Sequence, residues 1–162
     1  MSPSSVAPLL LSVGLWLGCS IMVGACANHI PLRWIQWIAE PARSRGAPAG
    51  ARLIYERRLA IRRWKSWIPD AGAVLPGGIR KADLARRDPL ALQRLIAETW
   101  RAELVHWALW PVWLLTALWL PPLGVMLNFL FATVFNLPCL LLQRYNRLRL
   151  LQLLQRFTAS NP

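Results

Sequence analysis

The sequence contains one long stretch, residues 104–143, that has no Lys, Arg, Asp or Glu. A bilayer core tolerates ionisable side chains only where they are paired, buried in protein or functional. One helix needs about 20 apolar residues to cross that core, so the stretch is long enough for two crossings. Pro121-Pro122 is the natural turn between them. Residues 2–32 also lack charged side chains, and a first crossing fits about residues 6–27.

These stretches predict the fold class, an all-α integral membrane protein. We predict one membrane domain over residues 1–162, with about three transmembrane helices. The predicted spans are residues 6–27, 104–120 and 123–142. Between the first two spans lies a predicted interfacial helical segment, residues 33–103, and after the last span comes a basic tail, residues 144–162.

The charged residues are confined to two blocks of the chain. Residues 33–103 contain 15 basic and 7 acidic side chains, and residues 144–156 contain 4 basic ones. The positive-inside rule places both blocks in the cytoplasm, so we predict a multi-pass protein of the inner (cytoplasmic) cell membrane. The Arg residues flank apolar spans and alternate with Trp, which favours anionic lipid headgroups over nucleic acid as the partner.

Residues 51–68 are predicted to form a basic amphipathic helix that lies in the headgroup region, with Ile61, Trp64 and Ile68 on one face. Residues 41–50, rich in Pro, Gly and Ala, are predicted to be a flexible connector. The next helix is predicted to begin with Asp88 as the N-cap and Pro89 in the first helical position.

The apolar face of that helix, continued at helical spacing, reaches Glu103 and His106. Residues three apart are neighbours on a helix, and a carboxylate beside an imidazole is an arrangement used in general base catalysis. The alternative is that Glu103 pairs with Arg101, Arg94 or an Arg of the tail, and that His106 is an ordinary interfacial residue. A metal site is not expected, since the Glu-x-x-His pattern occurs once and the three cysteines lack zinc-ligand spacing.

Polar side chains recur in and after the last predicted span. Asn136, Cys139, Gln143 and Asn146 recur at steps of three and four and form one line down a helix that is otherwise mostly Leu and Phe. Asn136 is either a residue that holds helices together or a donor to an oxyanion. Three arginines just past the span, Arg144, Arg147 and Arg149, either anchor it at the membrane surface or bind phosphate, for which guanidinium is well suited.

Several motifs together resemble one known family. They are WKSWIPD at residues 64–70, ETWRAELVHW at 98–107, NLP at 136–138 and QRYNRLRL at 143–150. In these blocks the chain resembles the glycosyl-4,4'-diaponeurosporenoate acyltransferase family, in matching order over roughly residues 28–155. The resemblance implies a membrane O-acyltransferase that transfers a fatty acyl group to a sugar hydroxyl of a glycosylated carotenoid or related glycolipid.

On this basis we expect His106 to be the catalytic base and Glu103 to orient and charge it. The expected substrate-binding residues lie in the same blocks: Trp64, Lys65, Arg101, Asn136, Gln143, Arg144, Tyr145, Asn146 and Arg147. No bound cofactor is expected, and the acyl donor is expected to be acyl-CoA or acyl carrier protein. The alternatives are a non-catalytic membrane adaptor and a lipid- or carotenoid-binding protein.

Overall fold

A computed structural model describes residues 3–48, 50–68 and 89–160, and every regular element in them is helical. The α-helices are α1 (Pro3–His29), α2 (Leu32–Arg45), α3 (Ala51–Arg57), α4 (Ile61–Trp64), α5 (Pro89–Leu109) and α6 (Pro122–Ser160). Two 3-10 helices, Lys65–Trp67 and Trp110–Leu118, directly follow α4 and α5. The predicted all-α class is confirmed for the described residues.

Prolines set several helix boundaries. Helix α1 ends at His29 because Pro31 disfavours helical backbone at Ile30. Helices α5 and α6 begin at Pro89 and Pro122, since the first position of a helix needs no backbone N–H. The predicted N-cap, Asp88, lies outside the described residues.

Two predictions about local structure are wrong. Residues 41–50 do not form a connector throughout, because α2 continues through Pro41 to Arg45. Residues 51–68 do not form one helix, because the backbone at Ala60 turns into the left-handed region at φ 45°. After this turn Ile61 is fully buried and packs in a cluster with Leu142 and Tyr145. The face that was predicted to meet the headgroups therefore packs against protein.

The contacts within the chain define two compact units. Unit 1 comprises residues 1–29 and 104–140, and unit 2 comprises residues 30–103 and 141–162. The single membrane domain stays a prediction.

In unit 1, polar side chains of α6 accept hydrogen bonds from tryptophan rings elsewhere in the unit. Trp16 Nε1 donates to Asn128 Oδ1 at 2.9 Å, and Trp110 Nε1 donates to Thr133 Oγ1 at 3.2 Å. An unpaired polar group in apolar surroundings costs free energy. These hydrogen bonds satisfy the polar groups that they join, and they connect the helices of the unit.

Among the described residues, unit 2 contains a second buried apolar cluster that is larger than the one around Ile61. It is formed by Ala39, Leu92, Ile96, Leu150, Leu151 and Leu154, which come from α2, α5 and α6. The start of α5 and the basic end of α6 are thereby held against each other.

Two helices are long and apolar enough to cross a bilayer, over Val6–His29 and Pro122–Ala159. Little of their most apolar windows is buried, 6% and 22%, which is unlike the core helix of a soluble protein. Helix α6 has 39 residues, about twice the roughly 20 that one crossing needs. The basic tail is thus a helical continuation of the last predicted span. The span at residues 104–120 stays a prediction, because α5 ends at Leu109 and a 3-10 helix follows around Pro111.

The backbone conformation just after α2 requires a glycine. Gly46 has φ 69° and ψ −171°, a conformation essentially restricted to glycine, and a Cβ there would also meet the end of the Gln155 side chain. We expect Gly46→Ala to destabilise the protein by about 1–3 kcal/mol. Gly50→Ala is the matched control, since Gly50 also has positive φ but a Cβ would meet no atom within 4 Å. The melting temperatures of both purified variants test this, and a fall no larger for Gly46→Ala than for Gly50→Ala would contradict it.

Candidate functional site

In unit 2, the buried carboxylate of Glu103 lies between two arginines of α6. Arg144 Nε donates to Oε1 of Glu103 at 2.7 Å, and Arg147 Nη2 donates to Oε2. Only 3% of the Glu103 side chain is exposed, compared with 10% for Arg147 and 44% for Arg144. The structure therefore pairs Glu103 with arginines of the tail, which was one of the alternatives from the sequence.

The charge state of Glu103 follows from these contacts. Burial alone raises the pKa of the Glu103 carboxyl, but the hydrogen bonds from Arg147 and Arg144 outweigh burial and the pKa is lowered. Glu103 is therefore anionic near neutral pH, and it offers charge rather than a transferable proton. Its predicted role in orienting His106 stays a prediction.

The guanidinium of Arg147 also stacks on an aromatic ring. Its Cζ lies 3.8 Å from the centroid of the Trp100 ring, within the range of a cation–π contact. Within the part of the chain that the structure describes, the buried Arg147 Nη1 and Trp100 Nε1 have no hydrogen-bond partner. Trp100 was missed as a site residue, although it lies within the ETWRAELVHW block and precedes Glu103 by three positions.

In unit 1, the imidazole of His106 contacts the side chain of Asn136. The His106 Nδ1 atom lies 3.0 Å from Oδ1 of Asn136, and Asn136 Nδ2 donates to the carbonyl of Ala132 at 2.9 Å. Asn136 is buried, whereas His106 is partly exposed. The structure thus brings together two predicted site residues that are 30 positions apart in the chain.

A second polar cluster in unit 2 contains Tyr145. Its hydroxyl donates to Oε1 of Glu56 at 2.8 Å, and Arg52 Nε donates to the same oxygen at 2.8 Å. Hydrogen bonds from Arg52 and Tyr145 lower the pKa of Glu56. Lys65 Nζ lies 5.7 Å from the centroid of the Tyr145 ring. Sequence reasoning missed Glu56, and no periodicity marked it.

The other predicted site residues lie in unit 2, and their positions do not indicate a particular chemical role. Arg101 Nη1 donates to the carbonyl of Ile30 at 2.9 Å, and its Nε lies 3.0 Å from Oε2 of Glu98. Trp64 Nε1 donates to the carbonyl of Leu59 at 2.9 Å. Gln143 and Asn146 are half-buried on α6. Within residues 3–48, 50–68 and 89–160, no group of three or more His, Cys, Asp or Glu side chains is arranged to hold a metal ion.

These features define a class of small helical protein that carries helices of membrane-spanning length, a buried arginine–carboxylate cluster and a histidine–asparagine pair. The sequence profile of the glycosyl-4,4'-diaponeurosporenoate acyltransferase family matches residues 31–156. The chain belongs to that family.

Curated relatives carry the same family name. The glycosyl-4,4'-diaponeurosporenoate acyltransferases of Staphylococcus aureus strains USA300 and Newman are each 34% identical to this chain over 96 residues. The matched region covers 59% of this chain and 57% of each relative, so the chain spans somewhat more than half of their length. No solved structure matches the chain.

Proposed function

We propose that this protein is a membrane-bound O-acyltransferase that esterifies a sugar hydroxyl of a glycosylated carotenoid or a related glycolipid. The observation that carries the proposal is the family match over residues 31–156, which includes His106, Asn136 and the arginines of α6. The name of the S. aureus relatives supplies the reaction class and the kind of acceptor.

In the proposed reaction His106 is the general base. The imidazole takes the proton of the sugar hydroxyl as the hydroxyl oxygen attacks the carbonyl carbon of an acyl thioester. The new C–O bond forms, the C–S bond breaks, and the proton on the imidazolium passes to the departing thiolate. An imidazole suits this sequence of transfers because its neutral ring accepts a proton and its protonated ring donates one.

The proposed donor is acyl-CoA or acyl carrier protein, and both carry phosphate groups. Two arginines around Glu103 give the cluster a net charge of +1, and the more exposed of them, Arg144, can offer its guanidinium to a phosphate at the surface. Arg147 instead serves mainly to hold Glu103, because its side chain is largely buried. We also propose substrate-binding roles for six other residues: Trp64, Lys65, Arg101, Gln143, Tyr145 and Asn146.

The proposed location is the inner (cytoplasmic) cell membrane, with three spans and both basic blocks on the cytoplasmic side. The two apolar helices support a membrane location. A lipid-soluble acceptor with a polar sugar would then present its hydroxyl at the membrane surface, where a water-soluble thioester can reach it.

The reaction is tested by expressing the chain in cells that make a glycosylated carotenoid and lack an acyltransferase for it. We expect mass spectrometry of the lipid extract to show a new species, heavier than the glycoside by one fatty acyl group, with loss of the free glycoside. Cells carrying the empty vector are the control. An unchanged glycoside in cells whose membranes contain the protein would contradict the proposed acceptor, and the same assay on total glycolipids would reveal a related one.

A further inference from the structure

The contact between Asn136 and His106 determines where the hydrogen on the imidazole must lie. Asn136 Nδ2 donates to the carbonyl of Ala132, one helical turn earlier, and this contact fixes the orientation of the amide. The opposite orientation would place the amide oxygen against a carbonyl oxygen. The atom presented to His106 is therefore Oδ1, which can only accept a hydrogen bond.

Because Oδ1 accepts, the hydrogen of the bond must be carried by Nδ1 of His106. A neutral imidazole carries a hydrogen on one of its two ring nitrogens and a lone pair on the other. The hydrogen-bond partner of one nitrogen decides which of the two carries the hydrogen. With Nδ1 protonated, the lone pair of the neutral ring is on Nε2. The same contact holds the ring in one orientation, since Asn136 is 5% exposed and anchored to its own helix.

We propose that Asn136 is a positioning residue that fixes His106 in the Nδ1–H form and makes Nε2 the atom that accepts the proton of the sugar hydroxyl. The tautomer itself does not depend on the reaction, whereas the part that concerns the hydroxyl rests on the proposed acyltransferase function. This assignment differs from the oxyanion-donor role that the sequence allowed for Asn136. One Nδ2 hydrogen is already donated to Ala132, and the amide oxygen is used by His106.

The same helix contains a natural control. Asn128 is arranged like Asn136, with Nδ2 donating to the carbonyl four residues earlier, that of Gly124, at 3.0 Å. Its Oδ1 accepts from Trp16 instead of a histidine. Asn128→Leu therefore removes a similar contact in unit 1 without touching His106.

The tautomer can be measured without any substrate. The chain has only two histidines, so histidine-specific 15N labelling in a His29→Gln background leaves the imidazole of His106 as the only labelled ring. We expect the NMR spectrum of the purified, folded protein at a pH where the ring is neutral to show hydrogen on Nδ1. In Asn136→Leu we expect the Nε2–H form to appear, whereas Asn128→Leu should leave the spectrum unchanged.

Kinetics test the positioning role. We expect Asn136→Leu to lower kcat by about 10–100-fold, by analogy with the range for groups that orient metal-ligating histidines through their second ring nitrogen, with KM for donor and acceptor changed less than about twofold. Asn136→Asp keeps an acceptor for Nδ1 of His106 but places its second oxygen against the carbonyl of Ala132, so it should recover only part of kcat. Asn128→Leu should keep the wild-type kcat.

The outcomes separate the two proposals. Hydrogen on Nε2 in the wild-type spectrum would overturn the tautomer assignment, whatever the activity. The expected spectrum together with an unchanged kcat in Asn136→Leu would overturn the positioning role. The expected spectrum in a protein that produces no acylated glycolipid would refute the proposed function and leave the tautomer assignment supported.

Discussion

Replacing His106 with glutamine is expected to lower kcat for acyl transfer by about 10²–10⁴-fold, the range that a general base contributes. A glutamine amide can still donate a hydrogen bond towards Asn136, but it cannot take up the proton of a sugar hydroxyl. The loss should therefore fall on kcat, with the amount of folded protein unchanged. Product formation from a thioester donor and a glycosylated acceptor, measured by mass spectrometry on protein in lipid nanodiscs, gives the rate.

The control for this variant is His29→Gln. The His29 Nδ1 atom contacts the carbonyl of Ala25 at 2.8 Å on the same helix and is exposed, so its replacement should leave kcat unchanged. Folded protein is quantified for each variant by gel filtration in detergent. A His106→Gln protein that retains kcat within about twofold of wild type would exclude His106 as the base.

Replacing Glu103 with glutamine is expected to cost about 3–5 kcal/mol of stability, because the change leaves the buried cation of Arg147 without its counterion. The contact with Arg144 contributes less, since that side chain is 44% exposed and screened by water. At about 2–4 °C per kcal/mol for a chain of this size, the melting temperature should fall by roughly 6–20 °C. Thermal unfolding of the purified protein measures the change.

Two further variants identify the cause. Glu98→Gln breaks a more exposed pair with Arg101 on one helix and should cost only about 0.3–0.5 kcal/mol. The double variant Glu103→Leu/Arg147→Met replaces the buried pair by apolar groups of similar size, and it should recover most of the lost stability. An unchanged melting temperature in Glu103→Gln would show that the buried pair does not stabilise unit 2.

The same variant tests the predicted link between Glu103 and His106. Well below its melting temperature, Glu103→Gln should remain folded, and kcat there reports on catalysis alone. A kcat that falls with KM unchanged would support an electrostatic effect of Glu103 on the base. A wild-type kcat at that temperature would limit Glu103 to holding the arginines.

The sequence allowed much of the helical framework to be predicted. The end of α1 and the starts of α5 and α6 were predicted from the lengths of the apolar stretches and from the positions of Pro31, Pro89 and Pro122. These are local effects, because a proline changes the backbone around its own position. The break at Ala60 was not predictable in this way, since it accompanies burial of Ile61 against residues about 80 positions later in the chain.

The candidate site was predictable as a set of residue types but not as a set of contacts. The family motifs contain Glu103, His106, Asn136 and the arginines. Helical periodicity placed Glu103 and His106 on the same face of their helix. Periodicity could not choose among Arg94, Arg101 and the tail as partners of Glu103. It placed Trp100 on the same apolar face without marking it as a site residue, and it did not reveal Glu56. Each of those choices depends on which helices pack together.

The amino-acid sequence thus determined the apolar segments, most of the helical ones and the residues capable of chemistry, because hydrophobic spacing and proline act over a few residues. Only the tertiary structure decided that the charge of Glu103 is balanced by Arg144 and Arg147. It also decided that His106 is hydrogen-bonded to Asn136. Those partners are 30 to 44 positions apart, and such contacts form only when separate helices are brought side by side.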